Sequence, residues 1–173
     1  MLYVTDKLYA AFPTPEALLS LVGDKEGIAR WVAWMKKADL RHAKRKVRDI
    51  LAATQNIVKY YDGEIPQERV ELEEMRGVGR HVASITMAWV HEAPEFGIDV
   101  HVRRILTRWN FITDSMLDTE VEETVKKTLP RNIIGHFSRA FVDHGQQVCG
   151  YNPDCANCYL RSACPTAAKH FDW

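Results

Sequence analysis

Four cysteines near the C-terminus constrain this chain more than any other feature. Cys149, Cys155, Cys158 and Cys164 are separated by five, two and five residues. Structural zinc is usually bound by two close pairs joined by a longer spacer. One close pair flanked by two wider gaps favours instead a [4Fe–4S] cluster, which four thiolates hold. Two disulfides are the alternative that an oxidising compartment would permit.

The composition is that of an ordinary globular protein. The chain has 173 residues, of which 46% are apolar and 27% charged, and its formal net charge is zero. This length fits one domain, or one domain with a small appendage. No apolar run approaches the roughly 20 residues that cross a bilayer, and residues 1–12 lack the features of a signal peptide. We therefore expect no membrane association and an intracellular location, where clustered cysteines favour metal over disulfides.

Hydrophobic spacing predicts an all-α fold, a bundle of helices joined by short turns. Apolar residues recur three and four apart, proline and capping residues precede several runs, and glycines follow them. No alternating strand pattern and no internal repeat is present. Helices are predicted over residues 4–12, from Pro15 towards Gly23, and over 25–37, 40–61, 67–75, 81–91, 99–109, 119–129 and 135–148.

The predicted helix over residues 40–61 is strongly basic in its first half. Arg41, Lys44, Arg45, Lys46 and Arg48 crowd two turns. Such a run is most often a solvated helix face, and the alternative is an edge that faces phosphates. The pattern alone leaves both interpretations open.

Two glycines one residue apart separate the next two predicted helices, in the sequence Arg76-Gly77-Val78-Gly79-Arg80. Such a pair permits a tight turn with exposed backbone N–H groups, and the following helix adds its own unpaired N–H groups and positive dipole end. Together they form an anion site suited to a DNA phosphate. An ordinary helix–helix turn is the alternative for this segment on its own.

The segment over about residues 67–91 resembles the helix-hairpin-helix of the endonuclease III and adenine-glycosylase superfamily, whose members are DNA base-excision glycosylases. The resemblance extends over roughly residues 4–165. The family usually has proline before the first glycine, where this chain has Arg76. The resemblance implies a [4Fe–4S] cluster on the four cysteines, and it implies that Leu40 is a second residue that probes the duplex. It also implies DNA contacts from Arg76, Gly77, Val78, Gly79 and Arg80.

The resemblance places the catalytic carboxylate of the family at Asp99, 18 residues after His81. Cleaving an N-glycosidic bond builds positive charge on the sugar, which a nearby carboxylate stabilises. The base must first be flipped out of the stack. Asp99 also precedes a predicted helix, so an N-cap role is the structural alternative, and the two roles are compatible.

His81 departs from the family pattern. Members that also cleave the strand carry a lysine at this position, whose amine forms a Schiff base with the sugar. An imidazole forms no such stable iminium. The resemblance therefore implies a glycosylase with His81 near the flipped nucleotide and without efficient lyase activity. A helix-terminal histidine with no role is the alternative.

Relatives normally carry two further helices before the segment that matches residues 4–12. We expect that a protein partner or a second copy completes this part, that the reading frame starts upstream, or that the chain is a truncated product. The expected organisation is a helical core over residues 1–134, followed by a C-terminal helix and cluster segment over residues 135–173.

The leading hypothesis is a monofunctional DNA N-glycosylase that acts on double-stranded DNA with a damaged or mismatched base. The expected location is the cytoplasm or nucleoid of a prokaryote-like cell. One alternative is a glycosylase-like module that binds DNA without excision, and another is a bifunctional glycosylase with lyase activity. A zinc-bound structural domain would explain the cysteines but not the hairpin-to-Asp99 spacing. The sequence does not name the excised base.

Overall fold

The computed structural model describes residues 2–170, whose regular structure is helical throughout and confirms the predicted all-α class. The chain forms two compact units, Met1–Gly79 and Arg80–Trp173. The division at residue 134 that we expected from the sequence stays a prediction. Over residues 2–170, no helix combines the length and apolarity needed to span a membrane.

The described part of the first unit contains five helices, two of which begin at a side-chain N-cap. Thr14 Oγ1 accepts a hydrogen bond from the Ala17 N–H at the start of the second helix, and Asp24 Oδ1 accepts two at the start of the third. The fourth helix begins three residues later than predicted, because His42 adopts a left-handed φ of 59°. The helices are α1 (Leu2–Ala11), α2 (Pro15–Leu19), α3 (Lys25–Lys37), α4 (Ala43–Tyr60) and α5 (Arg69–Glu73).

The core of the first unit lies where α2 and α3 pack on α4. Trp31 from α3 and Val47 from α4 are almost fully buried there. Both belong to apolar stripes that recur every three to four residues along their helices. The same stripes predicted these helices from the sequence.

The second unit contains α6 (Arg80–Val90), α7 (Val100–Arg108), α8 (Asp118–Thr128), α9 (Ile134–Gln147) and α10 (Pro165–His170). The first four begin and end within one residue of the predicted bounds. The short α10 was not predicted, because six residues carry too little periodicity. Phe141 of α9 is the centre of this core and meets Phe96, Trp109 and Phe137 in edge-to-face contacts.

Candidate functional site

Asp99 is the N-cap of α7. Its Oδ1 accepts hydrogen bonds from the backbone N–H groups of His101 and Val102, both at 2.8 Å. These bonds satisfy helix-terminal donors and orient the carboxylate. Over the described part of the chain, no hydrogen bond to Oδ2 is recorded. Asp99 is partly buried, and only one of its two carboxylate oxygens is used by the helix cap.

The loop before Asp99 packs closely against the start of α6. A methyl group at Gly97 would lie 3.3 Å from Nδ1 of His81 and would overlap the Ile85 side chain. The Gly97 carbonyl accepts a hydrogen bond from the buried Ser138 hydroxyl at 3.0 Å. His81 Nδ1 is itself buried without a hydrogen-bond partner in the structure. The fold therefore brings His81 against the loop that ends at Asp99.

Gly77 makes the hairpin turn, and its neighbour Arg76 is held by Asp49 of α4. Gly77 has a left-handed φ of 82°, and a side chain there would overlap Cβ of Asp49. Arg76 Nε donates to Asp49 at 2.9 Å, and Arg45 pairs with the same carboxylate. Burial by itself raises the pKa of Asp49, but the hydrogen bonds and charges of the two arginines hold that pKa below its ordinary value.

Arg80, the first residue of α6, is held by an acid of the second unit. Its Nη1 donates to Oε2 of Glu122 at 2.7 Å. Glu122 is only 5% exposed and accepts a second bond from Lys126 at 2.9 Å, while Lys126 also pairs with Glu95. Arg80 therefore belongs to an ion-pair network, although nearly half of its side chain remains exposed.

The four cysteines line one cavity, together with Arg108 and His144 among other residues. Burial raises the pKa of the Cys155 thiol, and the other three thiols raise it further. Within residues 2–170, no three potential metal ligands converge on one ion. A cluster does not require such convergence, because each thiolate binds a different iron. The donor set and the shared cavity fit a [4Fe–4S] cluster.

Neighbouring helices supply polar groups to this cavity. Burial lowers the pKa of His144, whose Nε2 lies 3.8 Å from Sγ of Cys158. Arg104 Nε donates to the Cys149 carbonyl at 2.9 Å. Arg108 Nη1 lies 3.1 Å from Sγ of Cys149 and donates to the Gly150 carbonyl at 2.7 Å. The loop of the first cysteine is thus tied to α7.

Sequence reasoning missed the residues that support the predicted site. Arg104 and Arg108 are spaced by four, so they share a face of α7, and this spacing was a usable signal. Asp49 and Glu122 gave no such signal, because their partners Arg76 and Arg80 lie 27 and 42 residues away. Leu40 is half-buried against the core of the first unit. Its predicted role in probing the duplex stays a prediction.

Several curated proteins resemble the chain over most of its length. Endonuclease III of Synechocystis sp. is 30% identical in an alignment of 175 positions that covers 95% of this chain and 72% of that protein. Endonuclease III of Haemophilus influenzae is 27% identical over 95% of this chain and 75% of its own length. No protein-family model matches the chain.

Solved structures resemble the fold. A non-covalent endonuclease III–DNA complex superposes with a TM-score of 0.81 at 24% identity, covering 97% of this chain and 76% of that one. A thermostable thymine-DNA glycosylase gives a TM-score of 0.75 at 16% identity, covering 96% of this chain and 76% of its own. Given the similarity in sequence and in fold, the chain belongs to the endonuclease III family of helix-hairpin-helix DNA glycosylases.

Proposed function

We propose that this chain is a monofunctional DNA N-glycosylase, which releases a damaged or mismatched base from duplex DNA and leaves the backbone intact. The observation that carries the proposal is the placement of Asp99. Oδ1 of this residue caps α7, and Oδ2 has no hydrogen-bond partner among the described residues. His81 lies against the loop that leads to Asp99.

Asp99 would act on the sugar of a flipped nucleotide. As the N-glycosidic bond breaks, positive charge develops at the anomeric carbon. The carboxylate stabilises that charge or accepts a proton from the attacking water, and the released base leaves with the bonding electron pair. Because two backbone N–H groups hold Oδ1, the carboxylate needs little reorganisation during the reaction.

The absence of an amine at His81 supports base release without strand cleavage. Lyase chemistry requires a neutral amine that attacks the sugar and forms a Schiff base. Among the lysines of the second unit with described side chains, Lys126 and Lys127 are paired with glutamates. The His81 imidazole, which is only partly buried, would instead form a hydrogen bond with the nucleotide or with water.

We further propose that the hairpin binds a DNA phosphate. Val78 and Gly79 would offer backbone N–H groups, and the exposed parts of Arg76 and Arg80 would add positive charge. Such contacts position the duplex without reading its sequence. Leu40 and the basic start of α4 would extend the same duplex contact.

The four cysteines would hold a [4Fe–4S] cluster. When bound, the cluster supplies iron–thiolate bonds that close the chain between Cys149 and Cys164. The residues of this chain keep the loop in place, because Arg104 and Arg108 hold the carbonyls of Cys149 and Gly150. This part would therefore have a structural role.

Alkali treatment of reacted DNA tests the glycosylase proposal. On a panel of lesion and mismatch duplexes, the product should run as an intact strand and should be cut only after alkali. Asp99→Asn should lower base release by about a hundredfold or more, because stabilisation of the developing charge is lost. Asp114→Asn, at a carboxylate of the second unit that binds Thr107, is the matched control and should retain activity.

Two outcomes would contradict this assignment. High-yield borohydride trapping of the unmodified protein on DNA would prove an amine nucleophile and favour the bifunctional alternative. Binding to every duplex without base release would favour the alternative of a module that binds DNA without excision. His81→Lys should raise the trapped fraction if this position faces the sugar.

Iron analysis tests the cluster. Anaerobically purified protein should contain about four irons per chain and absorb broadly in the visible region. Cys158→Ser should lose iron and destabilise the segment around α10, because metal binding there contributes folding free energy. Ala156→Ser, at an exposed neighbouring position, should retain both. Stoichiometric zinc without iron would contradict the proposal.

A further inference from the structure

A polar cleft, distinct from the cavity of the cysteines, lies in the second unit between the C-terminal end of α6 and the beginning of α9. Its volume is about 420 Å³, which falls within the range of roughly 300–1,000 Å³ typical of small-ligand sites. It is separate from the hairpin, because Trp89 follows Arg80 by nine residues, about 14 Å along α6. Its lining includes Trp89, Glu92, Arg131, Asn132, His136 and Arg139.

The arginines of this cleft differ from the other arginines of the second unit. Arg80 and Arg103 form ion pairs with acids, and Arg104 and Arg108 donate to backbone carbonyls. Arg131 and Arg139, in contrast, form no ion pair and no hydrogen bond within the described part of the chain. Their N–H groups therefore remain available to an anion from solution.

Trp89 gives the cleft an aromatic wall. This residue is 52% exposed, and the Arg139 guanidinium lies 5.1 Å from its ring centroid. This contact holds the long arginine side chain in the cleft. The exposed part of the Trp89 ring offers a surface for a planar base, and the Arg139 guanidinium beside it offers donors to a phosphate.

We propose that this cleft binds a nucleotide unit, either as a free nucleotide or as part of a nucleic-acid strand. Arg131 and Arg139 bind the phosphate, and the base stacks on the exposed part of the Trp89 ring. Glu92, the acid in the lining, accepts a hydrogen bond from a base amino group, which favours cytosine, guanine or adenine over thymine. The proposal does not depend on glycosylase activity.

Titration calorimetry with the full chain tests the site, with dCMP and the hexamer d(C)6 as probes. Trp89→Leu should weaken binding by about tenfold or more, because base stacking is lost, and Arg139→Gln should weaken it similarly. Trp34→Leu and Arg30→Gln are matched controls at exposed positions of the first unit and should bind like the parent.

The two probes distinguish the sources of the ligand. Binding of dCMP supports a free nucleotide, whereas binding of the hexamer alone supports a strand. The proposal is overturned if neither probe binds, or if Trp89→Leu binds as tightly as the parent. Displacement of dCMP by an equal concentration of inorganic phosphate on the unmodified protein would also overturn it, because the base would then contribute nothing.

Discussion

The two glycines of the hairpin look equivalent in the sequence, yet the structure uses them differently. Gly77 has a left-handed φ and lies so close to Asp49 that any side chain would overlap it. Gly79 has no such φ, and nothing lies within 4 Å of the position that its Cβ would occupy. Gly77 is therefore required by the fold, whereas Gly79 leaves open space in which a ligand could approach the backbone.

The two arginines beside these glycines show a related contrast. Arg76 pairs with Asp49 in the first unit, and Arg80 pairs with Glu122 in the second. Glu122 is nearly buried, with 7% of its side chain exposed, against 15% for Asp49. Each side of the hairpin sequence is thus anchored to its own unit by an acid distant in sequence. We therefore expect the largest contribution to stability from Gly77, a smaller one from Glu122 and the smallest from Asp49.

The largest effect is expected from Gly77→Ala. The substitution forces an L-residue into a left-handed conformation and creates an overlap with Asp49, which together cost about 2–4 kcal/mol. Gly79→Ala is the matched control and should change stability by less than about 0.5 kcal/mol. Chemical denaturation of both variants measures the difference. If the two variants are equally stable, the fold does not require glycine at residue 77 more than at residue 79.

A smaller effect is expected from Glu122→Gln. The substitution leaves Arg80 and Lys126 without their shared carboxylate, and because both are partly exposed we expect a loss of about 1–2 kcal/mol. Glu123→Gln removes only an exposed pair with Lys127 and should cost almost nothing. Thermal unfolding of the two variants gives the comparison. A similar shift in both would mean that Glu122 is not an anchor.

The smallest and most condition-dependent effect is expected from Asp49→Asn. The folded-state pKa of Asp49 lies below its unfolded value, so the carboxylate adds stability at neutral pH, and this contribution is lost as the pH falls through the folded-state pKa. The variant should therefore be less stable than the parent at pH 7, and the difference should narrow below roughly pH 4. Glu26→Gln, at an exposed pair, is the control. If the difference in stability between parent and variant widens towards low pH, the pKa of Asp49 is raised on folding rather than lowered.

Much of the local structure was predictable because it depends on neighbours in sequence. The predicted helix over residues 25–37 matches α3, since apolar spacing and the Asp24 cap act within a few residues. Asp99 was expected as an N-cap for the same reason, and the hydrogen bonds confirm it. The start of α4 was predicted wrongly, because the left-handed His42 has no clear signal in composition.

The sequence by itself determined the all-α class, the helix-hairpin-helix segment and the four-cysteine spacing, because each of these is a pattern of residues close together in the chain. Only the tertiary structure decided that Asp49 makes Gly77 indispensable, that Glu122 holds Arg80, and that Arg131 and Arg139 share a cleft with Trp89. These relations join residues tens of positions apart. They depend on how helices pack, and periodicity along a single helix carries no information about its packing partner.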